Sequence, residues 1–116
     1  MNYLISSNLE KYLTMSIKKQ LLKSKPECKV TFRITKDLAN GAEEARVVGD
    51  FNNWDVKSIP MKKLKSGEFT STLSLPAESE FQFRYLLSGD IWLNDPESDA
   101  FVTNEFGEKN SLLLTK

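Results

Sequence analysis

Two different spacings of apolar residues divide this chain. In the first part, apolar residues recur every four positions, at Leu9, Leu13, Ile17 and Leu21. From Cys28 onward they alternate with polar residues, so that the period falls to two. A period near four is typical of one face of an α-helix, and a period of two is typical of a half-buried β-strand. The pattern therefore predicts a short N-terminal helix in residues 1–25, followed by an all-β unit in residues 26–116.

The predicted helix has recognisable ends. Ser7 and Glu10 have the spacing of a capping box, in which two side chains satisfy backbone N–H groups at the start of a helix. Pro26 disfavours helical geometry at the residue before it and ends the segment there. Met15 offers a second interpretation of the N-terminal segment, because translation could begin there. Residues 1–14 would then be an upstream extension with no structural role. The sequence leaves both interpretations open.

The region after Pro26 contains about seven or eight strand patterns, with turn signals roughly every ten residues. No helical pattern lies between them, so parallel crossover connections are not expected. We therefore predict an immunoglobulin-like antiparallel β-sandwich, with a small closed barrel as the alternative. The strand patterns are CKVTFRIT, ARVVGDF, SIPMKKL, FTSTLSL, EFQFRYLLSG, IWLND and NSLLLTK, and KDLANGAEE is predicted to be a polar loop.

Composition narrows the functional classes. The 16 Lys and Arg residues balance the 16 Asp and Glu residues, which argues against nucleic acid as a partner, because phosphate binding needs a basic excess. The chain has no histidine and a single cysteine, Cys28. These counts remove the most common general base, most zinc sites and any internal disulfide. No apolar run approaches a membrane span, and the N-terminus lacks the features of a signal peptide. We expect a cytoplasmic location, no membrane partner and no cofactor.

Acidic residues crowd one loop, at Asp95, Glu97 and Asp99. Such a trio can bind calcium or supply an acid–base pair. The loop lacks the glycine and glutamate spacing of a calcium site, however, and a sandwich of this size lacks the deep pocket that most enzymes use to exclude water. The sequence therefore favours neither catalysis nor a metal site.

Aromatic residues in polar turns are the stronger signal. Trp54 follows an Asn-Asn turn, Trp92 follows a hairpin turn, and Phe106 lies in the polar loop TNEFGEKN. A sandwich often buries a tryptophan, so a core position for either indole is the competing interpretation. The inward strand positions are already filled by phenylalanines and leucines, which favours exposure of both indoles.

Three segments, VVGDFNNWD, FQFRYLLSGDIWLNDPES and FVTNEFGEKNS, resemble the family 48 carbohydrate-binding modules. This family includes the glycogen-binding domain of the AMP-activated protein kinase beta subunit and the N-terminal domains of isoamylases and α-glucan branching enzymes. The resemblance spans about residues 28–116 and depends on the ordered motifs G-x-F-N-x-W and W-x-x-D-P. It implies an early-set immunoglobulin-like sandwich that binds linear or lightly branched α-1,4-glucan.

The resemblance also implies which residues contact sugar. Trp54 and Trp92 correspond to the family's two stacking tryptophans, and Arg84 corresponds to a lysine that bonds glucose hydroxyls. Phe106 corresponds to a leucine that inserts through the bent glucan, whereas Glu108 departs from a threonine of the family. The complete set of implied carbohydrate-binding residues is Trp54, Arg84, Trp92, Phe106, Gly107 and Asn110.

The chemistry of α-glucans agrees with this set. Strand alternation puts Arg84 on the face opposite Phe83 and Tyr85, outside the core. Flat indoles suit the apolar faces of glucose rings, while guanidinium and amide groups suit the hydroxyls. We therefore expect non-catalytic binding of glycogen, starch or malto-oligosaccharides. The alternative is a protein interaction module that holds an α-glucan-active enzyme, another protein or a second copy through its aromatic patch or N-terminal helix.

Overall fold

The computed structural model describes residues 17–22 and 25–115. These residues form two antiparallel sheets that pack on each other through a shared hydrophobic core. In chain order the strands are β1 (Ile17–Leu21), β2 (Glu27–Ile34), β3 (Ala45–Gly49), β4 (Lys62–Lys63), β5 (Phe69–Pro76), β6 (Glu80–Leu87), β7 (Ile91–Leu93), β8 (Ala100–Thr103) and β9 (Lys109–Leu114).

The strands divide into a four-stranded and a five-stranded sheet. The four-stranded sheet has the order β1-β2-β5-β4, and the five-stranded sheet has the order β3-β6-β9-β8 with β7 also paired to β6. Within the described ranges the strands of one sheet do not pair with those of the other, and a single isolated bridge, Arg46 to Pro60, connects β3 to the segment before β4. The sheets therefore form a sandwich and not the closed barrel. The predicted all-β antiparallel fold is therefore confirmed.

Two short helical turns connect strands. Helix α1 (Lys36–Ala39) begins after Thr35, whose side chain accepts a hydrogen bond from Leu38 N, and ends at Asn40 in the left-handed conformation. It lies in the segment predicted to be a polar loop. A single 3-10 turn (Asp50–Asn52) follows β3. No helix in the described part of the chain is long and apolar enough to cross a membrane.

The core confirms the alternation read from the sequence. On β2 the inward residues Cys28, Val30, Phe32 and Ile34 are fully buried. The inward rings of β6 meet them from the opposite sheet, with the Phe83 ring 5.1 Å from that of Phe32 in an edge-to-face arrangement. This geometry is the favourable one for aromatic pairs. Residues between these inward positions face outward and remain available for other roles.

The predicted N-terminal helix is wrong over residues 17–21, and Leu22 and Lys25 are not helical either. These residues form β1, which pairs antiparallel with β2, Ile17 lying opposite Phe32 and Leu21 opposite Cys28. A spacing of four is also a multiple of the strand period of two, so Ile17 and Leu21 share one side of a strand as readily as one side of a helix. The rest of the predicted helix, in residues 1–16 and 23–24, lies outside the described residues, and a partner or dimer contact through it stays a prediction.

Candidate functional site

The outer face of the five-stranded sheet gathers the polar and aromatic residues that the core does not use. Because Phe83 and Tyr85 point inward on β6, Gln82, Arg84 and Leu86 point outward. Leu86 lies directly opposite Trp92 of β7 in the strand register. Opposed residues of antiparallel strands share a face and come within side-chain contact. The register thus puts Trp92 beside the outward row of β6.

A glycine lets the end of β3 approach β6 closely. A Cβ atom on Gly49 would lie 2.4 Å from the carbonyl oxygen of Gln82, which is far inside contact distance. The close approach brings the next residue, Asp50, to β6, where its Oδ2 accepts a 2.7 Å hydrogen bond from Gln82 N. Its other oxygen, Oδ1, accepts a 2.9 Å hydrogen bond from Trp54 Nε1. One carboxylate therefore fixes the edge of the indole to the sheet.

The Asn-Asn turn holds Trp54 in an unusual backbone conformation. Asn52 stabilises the turn with its side chain, whose Oδ1 accepts from Gly49 N and whose Nδ2 donates to Ser58 Oγ, both at 2.9 Å. Asn53 and Trp54 then both adopt φ of 56°. The left-handed region costs a residue with a side chain about 1–2 kcal/mol, and for a bulky residue it is an outlier. The turn leaves the indole half-buried at the site.

Arg84 lies between the two tryptophans. Its guanidinium carbon is 4.8 Å from the centre of the Trp92 ring and 6.0 Å from that of Trp54. Both distances are within the range of about 6 Å for cation–π attraction. The Arg84 Nη1 atom is 3.7 Å from Glu108 Oε2, and Arg84 Nε is buried without a hydrogen-bond partner among the described residues. The structure therefore brings Trp54, Arg84 and Trp92 together.

The loop between β8 and β9 adds an exposed aromatic ring. Asn104 Oδ1 accepts hydrogen bonds from Phe106 N at 2.9 Å and from Glu108 N at 3.0 Å, which fixes the loop. Gly107 has φ of 82°, a conformation that glycine adopts without strain. The Phe106 side chain is 79% exposed. The loop thus holds a large apolar ring in solvent beside the site.

Asn110 supports the floor of the site from below. It is 6% exposed, and its Nδ2 donates a 3.0 Å hydrogen bond to Gln82 Oε1. Its Oδ1 accepts from Asn104 Nδ2 at 3.5 Å. These amides form a chain that connects β6 and β9 to the loop carrying Phe106.

A pocket of about 360 Å³ lies among these groups. Four of the residues implied by the sequence resemblance line it, namely Trp54, Arg84, Phe106 and Asn110. Trp92 is outside the lining and is connected to it through Arg84, and Gly107 shapes the loop. Sequence reasoning missed four further lining residues, Asp50, Gln82, Asn104 and Glu105. The alternation of β6 could have indicated Gln82, since it points to the same side as Arg84.

The W-x-x-D-P segment is anchored in the core by its aspartate. Asp95 is fully buried and accepts a 2.6 Å hydrogen bond from the Tyr85 hydroxyl. Burial first, and the Asp95 carboxylate second, hold the pKa of Tyr85 well above its usual 10.0. Of the other acidic residues in this loop, Asp99 pairs with Lys19 of β1 at 2.6 Å. No group of three metal-ligating side chains occurs within the described ranges.

Comparison with known proteins gives relatives over about two thirds of the chain. Over 78 residues the chain is 37% identical to 5'-AMP-activated protein kinase subunit beta-2 of Homo sapiens, a match that covers 67% of this chain and 27% of that protein. It is also 37% identical, over 90 residues, to the 1,4-alpha-glucan-branching enzyme of Saccharomyces cerevisiae, covering 69% of this chain and 12% of the enzyme. The chain thus spans about a quarter or less of the length of these curated relatives.

Among solved structures, the fold is similar to that of the enterochelin esterase from Shigella flexneri. The TM-score is 0.68 at 11% sequence identity, and the match covers 91% of this chain and 34% of the esterase. At this identity the similarity concerns the fold alone. Residues 23–97 match the family Carbohydrate-binding module 48 (Isoamylase N-terminal domain), and the chain therefore belongs to this family.

Proposed function

We propose that this chain binds α-1,4-glucan of the glycogen or starch type and does not act on it chemically. Membership of a carbohydrate-binding family supports a sugar ligand. The branching-enzyme relative acts on 1,4-alpha-glucan, which supports this class of sugar. The proposed contact residues are those that the sequence resemblance implied, namely Trp54, Arg84, Trp92, Phe106, Gly107 and Asn110.

The observation that carries the proposal is the position of Arg84 between two accessible indoles. Trp92 is 38% exposed and Trp54 is half-buried, so both can offer ring surface to a ligand. A glucose ring combines apolar faces with a rim of hydroxyls. Aromatic rings suit the faces, and the guanidinium and amide groups nearby suit the rim. The presence of both kinds of surface supports binding of a coiled glucan.

The strained backbone of Trp54 is a second support. Residues held in sparsely populated backbone conformations cluster at functional sites, where the surrounding structure maintains them. The hydrogen bond from Trp54 Nε1 to Asp50 also fixes the indole before any ligand arrives. A fixed side chain loses less conformational entropy on binding, which favours affinity.

The expected affinity is modest. Covering one face of an indole removes about 100 Å² of apolar surface, half the usual aromatic burial. At about 25 cal/mol per Å² this contributes on the order of 2.5 kcal/mol per tryptophan. A few hydrogen bonds add about 1 kcal/mol each, and the ordering of a flexible sugar offsets part of the sum. We therefore propose a Kd between roughly 10 μM and a few mM for maltoheptaose.

Calorimetry with maltoheptaose and β-cyclodextrin tests the proposal. The proposal predicts saturable heat with both ligands, and retention of the protein on immobilised glycogen or amylose. A folded protein that gives no heat at millimolar ligand and is not retained would overturn glucan binding. That outcome would favour the interaction module that keeps the sandwich without the sugar site.

A further inference from the structure

A second groove lies on the same outer face, on the far side of Leu86 from Arg84. Its volume is about 310 Å³, and the residues around it include Arg46 of β3, Leu86 of β6, Val56 and the turn residue Asp90. In the strand register Leu86 lies between Arg46 and Trp92, directly opposite each of them. The groove therefore lies next to the proposed glucan site, with Leu86 two positions along β6 from Arg84.

The groove has an apolar floor and a polar rim. Leu86 is half-buried and Val56 is 43% exposed, so both leave aliphatic surface accessible. The rim carries the carboxylates of Glu44 and Asp90 and the guanidinium of Arg46. Among the described residues that guanidinium makes one hydrogen bond, to Lys57 O at 3.1 Å, whereas a guanidinium has five N–H donors. Aliphatic surface with donors and acceptors at its rim suits a sugar ring.

The charges and the spacing favour a neutral chain that extends from the first pocket. One cation and two carboxylates at the rim disfavour a phosphate-bearing ligand, which needs a basic excess. Gln82 borders the first pocket and Leu86 borders the second groove. Four residues of strand at about 3.3 Å each separate them by roughly 13 Å. A glucan of more than a few units could contact both.

We propose that this groove is a second subsite, which binds further glucose units of the same α-glucan chain beyond Trp92. The inference rests on the proposed function, and it adds that the module distinguishes long chains from short ones. Glucan that occupies both subsites gains contacts with Val56, Leu86 and Arg46 that a short oligosaccharide does not reach.

Titration with two ligand lengths tests the second subsite. Maltotetraose and maltodecaose are titrated into the wild-type chain, into the groove variants Val56→Asp and Arg46→Met, and into a matched control, Leu21→Asp. Leu21 is 49% exposed on β1, in the other sheet. Each variant is first checked for an unchanged melting transition. Val56→Asp puts a charge on the apolar floor, and Arg46→Met removes the donors while keeping the aliphatic stem.

The second subsite predicts that wild type binds maltodecaose about tenfold more tightly than maltotetraose, equivalent to about 1.4 kcal/mol. Both groove variants should lose most of this tenfold preference for maltodecaose, while their affinity for maltotetraose stays within about twofold of wild type. Leu21→Asp should keep the preference. A long chain can also bind more tightly simply because it offers more positions at which the first site can hold it. In that case the groove variants would still bind maltodecaose more tightly than maltotetraose, and this result would overturn the second subsite. An equal affinity for both lengths in wild type would also overturn it. Absence of binding to either ligand would instead refute the proposed glucan function itself.

Discussion

The two outer faces of the sandwich share one alternation pattern and carry different chemistry. On the four-stranded sheet, outward positions hold hydroxyl, ammonium and guanidinium groups that bond locally, as in the 3.0 Å contact between the Thr31 and Thr72 hydroxyls and the ion pair of Arg33 with Glu68. On the five-stranded sheet, the corresponding positions hold amides and an indole around the guanidinium of Arg84. Alternation therefore determines which side chains leave the core, whereas their identities determine which face can bind a ligand.

Loops make the second difference between the faces. The turn after β3 brings Trp54 to the five-stranded sheet, and the loop between β8 and β9 brings Phe106 to it. The four-stranded sheet has a smaller depression of about 240 Å³ that includes Lys18, Lys29 and Thr31. No aromatic residue lines that depression. Loop placement, added to a common β framework, therefore makes one face concave and aromatic.

Truncation of either indole should have the largest effect on the difference in glucan binding between the two faces. Trp92→Ala or Trp54→Ala should weaken maltoheptaose binding about tenfold or more, because each removes up to about 2.5 kcal/mol of apolar contact. Lys29→Ala, which removes an exposed side chain from the outer face of the four-stranded sheet, should leave the affinity unchanged. Calorimetry gives the affinities, and thermal unfolding checks that each variant is folded. Equal effects from the indole and Lys29 variants would contradict a functional difference between the faces.

Gly49→Ala should disturb the approach of β3 to β6 and with it the Trp54 side of the site. The new Cβ would lie 2.4 Å from Gln82 O and 2.7 Å from the Phe83 Cβ, so the backbone must shift. Overpacking of this kind typically costs about 2 kcal/mol. We expect a lower melting temperature together with weaker glucan binding. Unchanged stability would show that the close approach has no structural importance.

Tyr85→Phe tests the core beneath the five-stranded sheet. Loss of the hydroxyl that donates to the buried Asp95 should lower the free energy of unfolding by about 1.5 kcal/mol at neutral pH. Because the folded pKa of Tyr85 is raised above the usual 10.0, the folded state retains its proton longer than the unfolded state. Wild type should therefore lose stability as the pH rises through and above 10, by at most about 1.4 kcal/mol per pH unit from this group. Denaturant unfolding between pH 8 and about 11 should show a smaller loss in the variant, and equal slopes would contradict this role of Tyr85.

Removal of the ion pair between Arg33 and Glu68 should have the smallest effect on stability. The hydrogen bond from Arg33 holds the pKa of Glu68 below its usual 4.5, so this contribution is present above that pH and declines as the pH falls through the folded pKa. The pair is partly exposed, and such pairs contribute less than about 1 kcal/mol. Glu68→Gln should therefore lower stability slightly at neutral pH, flatten its acid dependence and leave glucan affinity unchanged. A loss of affinity would show that the two faces are coupled.

The sequence predicted the strands whose two faces differ most clearly. β2, β5 and β6 were predicted because their inward residues are apolar and their outward residues are mostly polar. The sequence pattern predicts a helix where the structure has β1, because an apolar spacing of four fits both periods. β8 was missed, because its four residues, Ala100–Thr103, are too short to establish a period and directly follow a polar loop. Short edge strands depend on a neighbour for their hydrogen bonds, and that neighbour is not visible locally.

The site was predictable where short motifs carry it. The G-x-F-N-x-W and W-x-x-D-P motifs indicated Trp54 and Trp92, and alternation indicated the outward position of Arg84. The hydrogen bond that Asp50 accepts could not be predicted from a short motif, because its donor, Gln82, is 32 positions away in the sequence. Likewise Asn110 is largely buried in hydrogen bonds within the protein. Its contact with sugar stays a prediction.

Intrinsic tryptophan fluorescence during a maltoheptaose titration shows whether glucan binds at the two indoles. The chain contains two tryptophans, and both border Arg84, so the whole tryptophan emission reports on this face. Glucan binding at the two indoles predicts a saturable change in emission and reduced quenching by acrylamide, with a midpoint equal to the calorimetric Kd. Calorimetric binding with no change in tryptophan emission or quenching would show that glucan binds elsewhere on the molecule and would refute the proposed site.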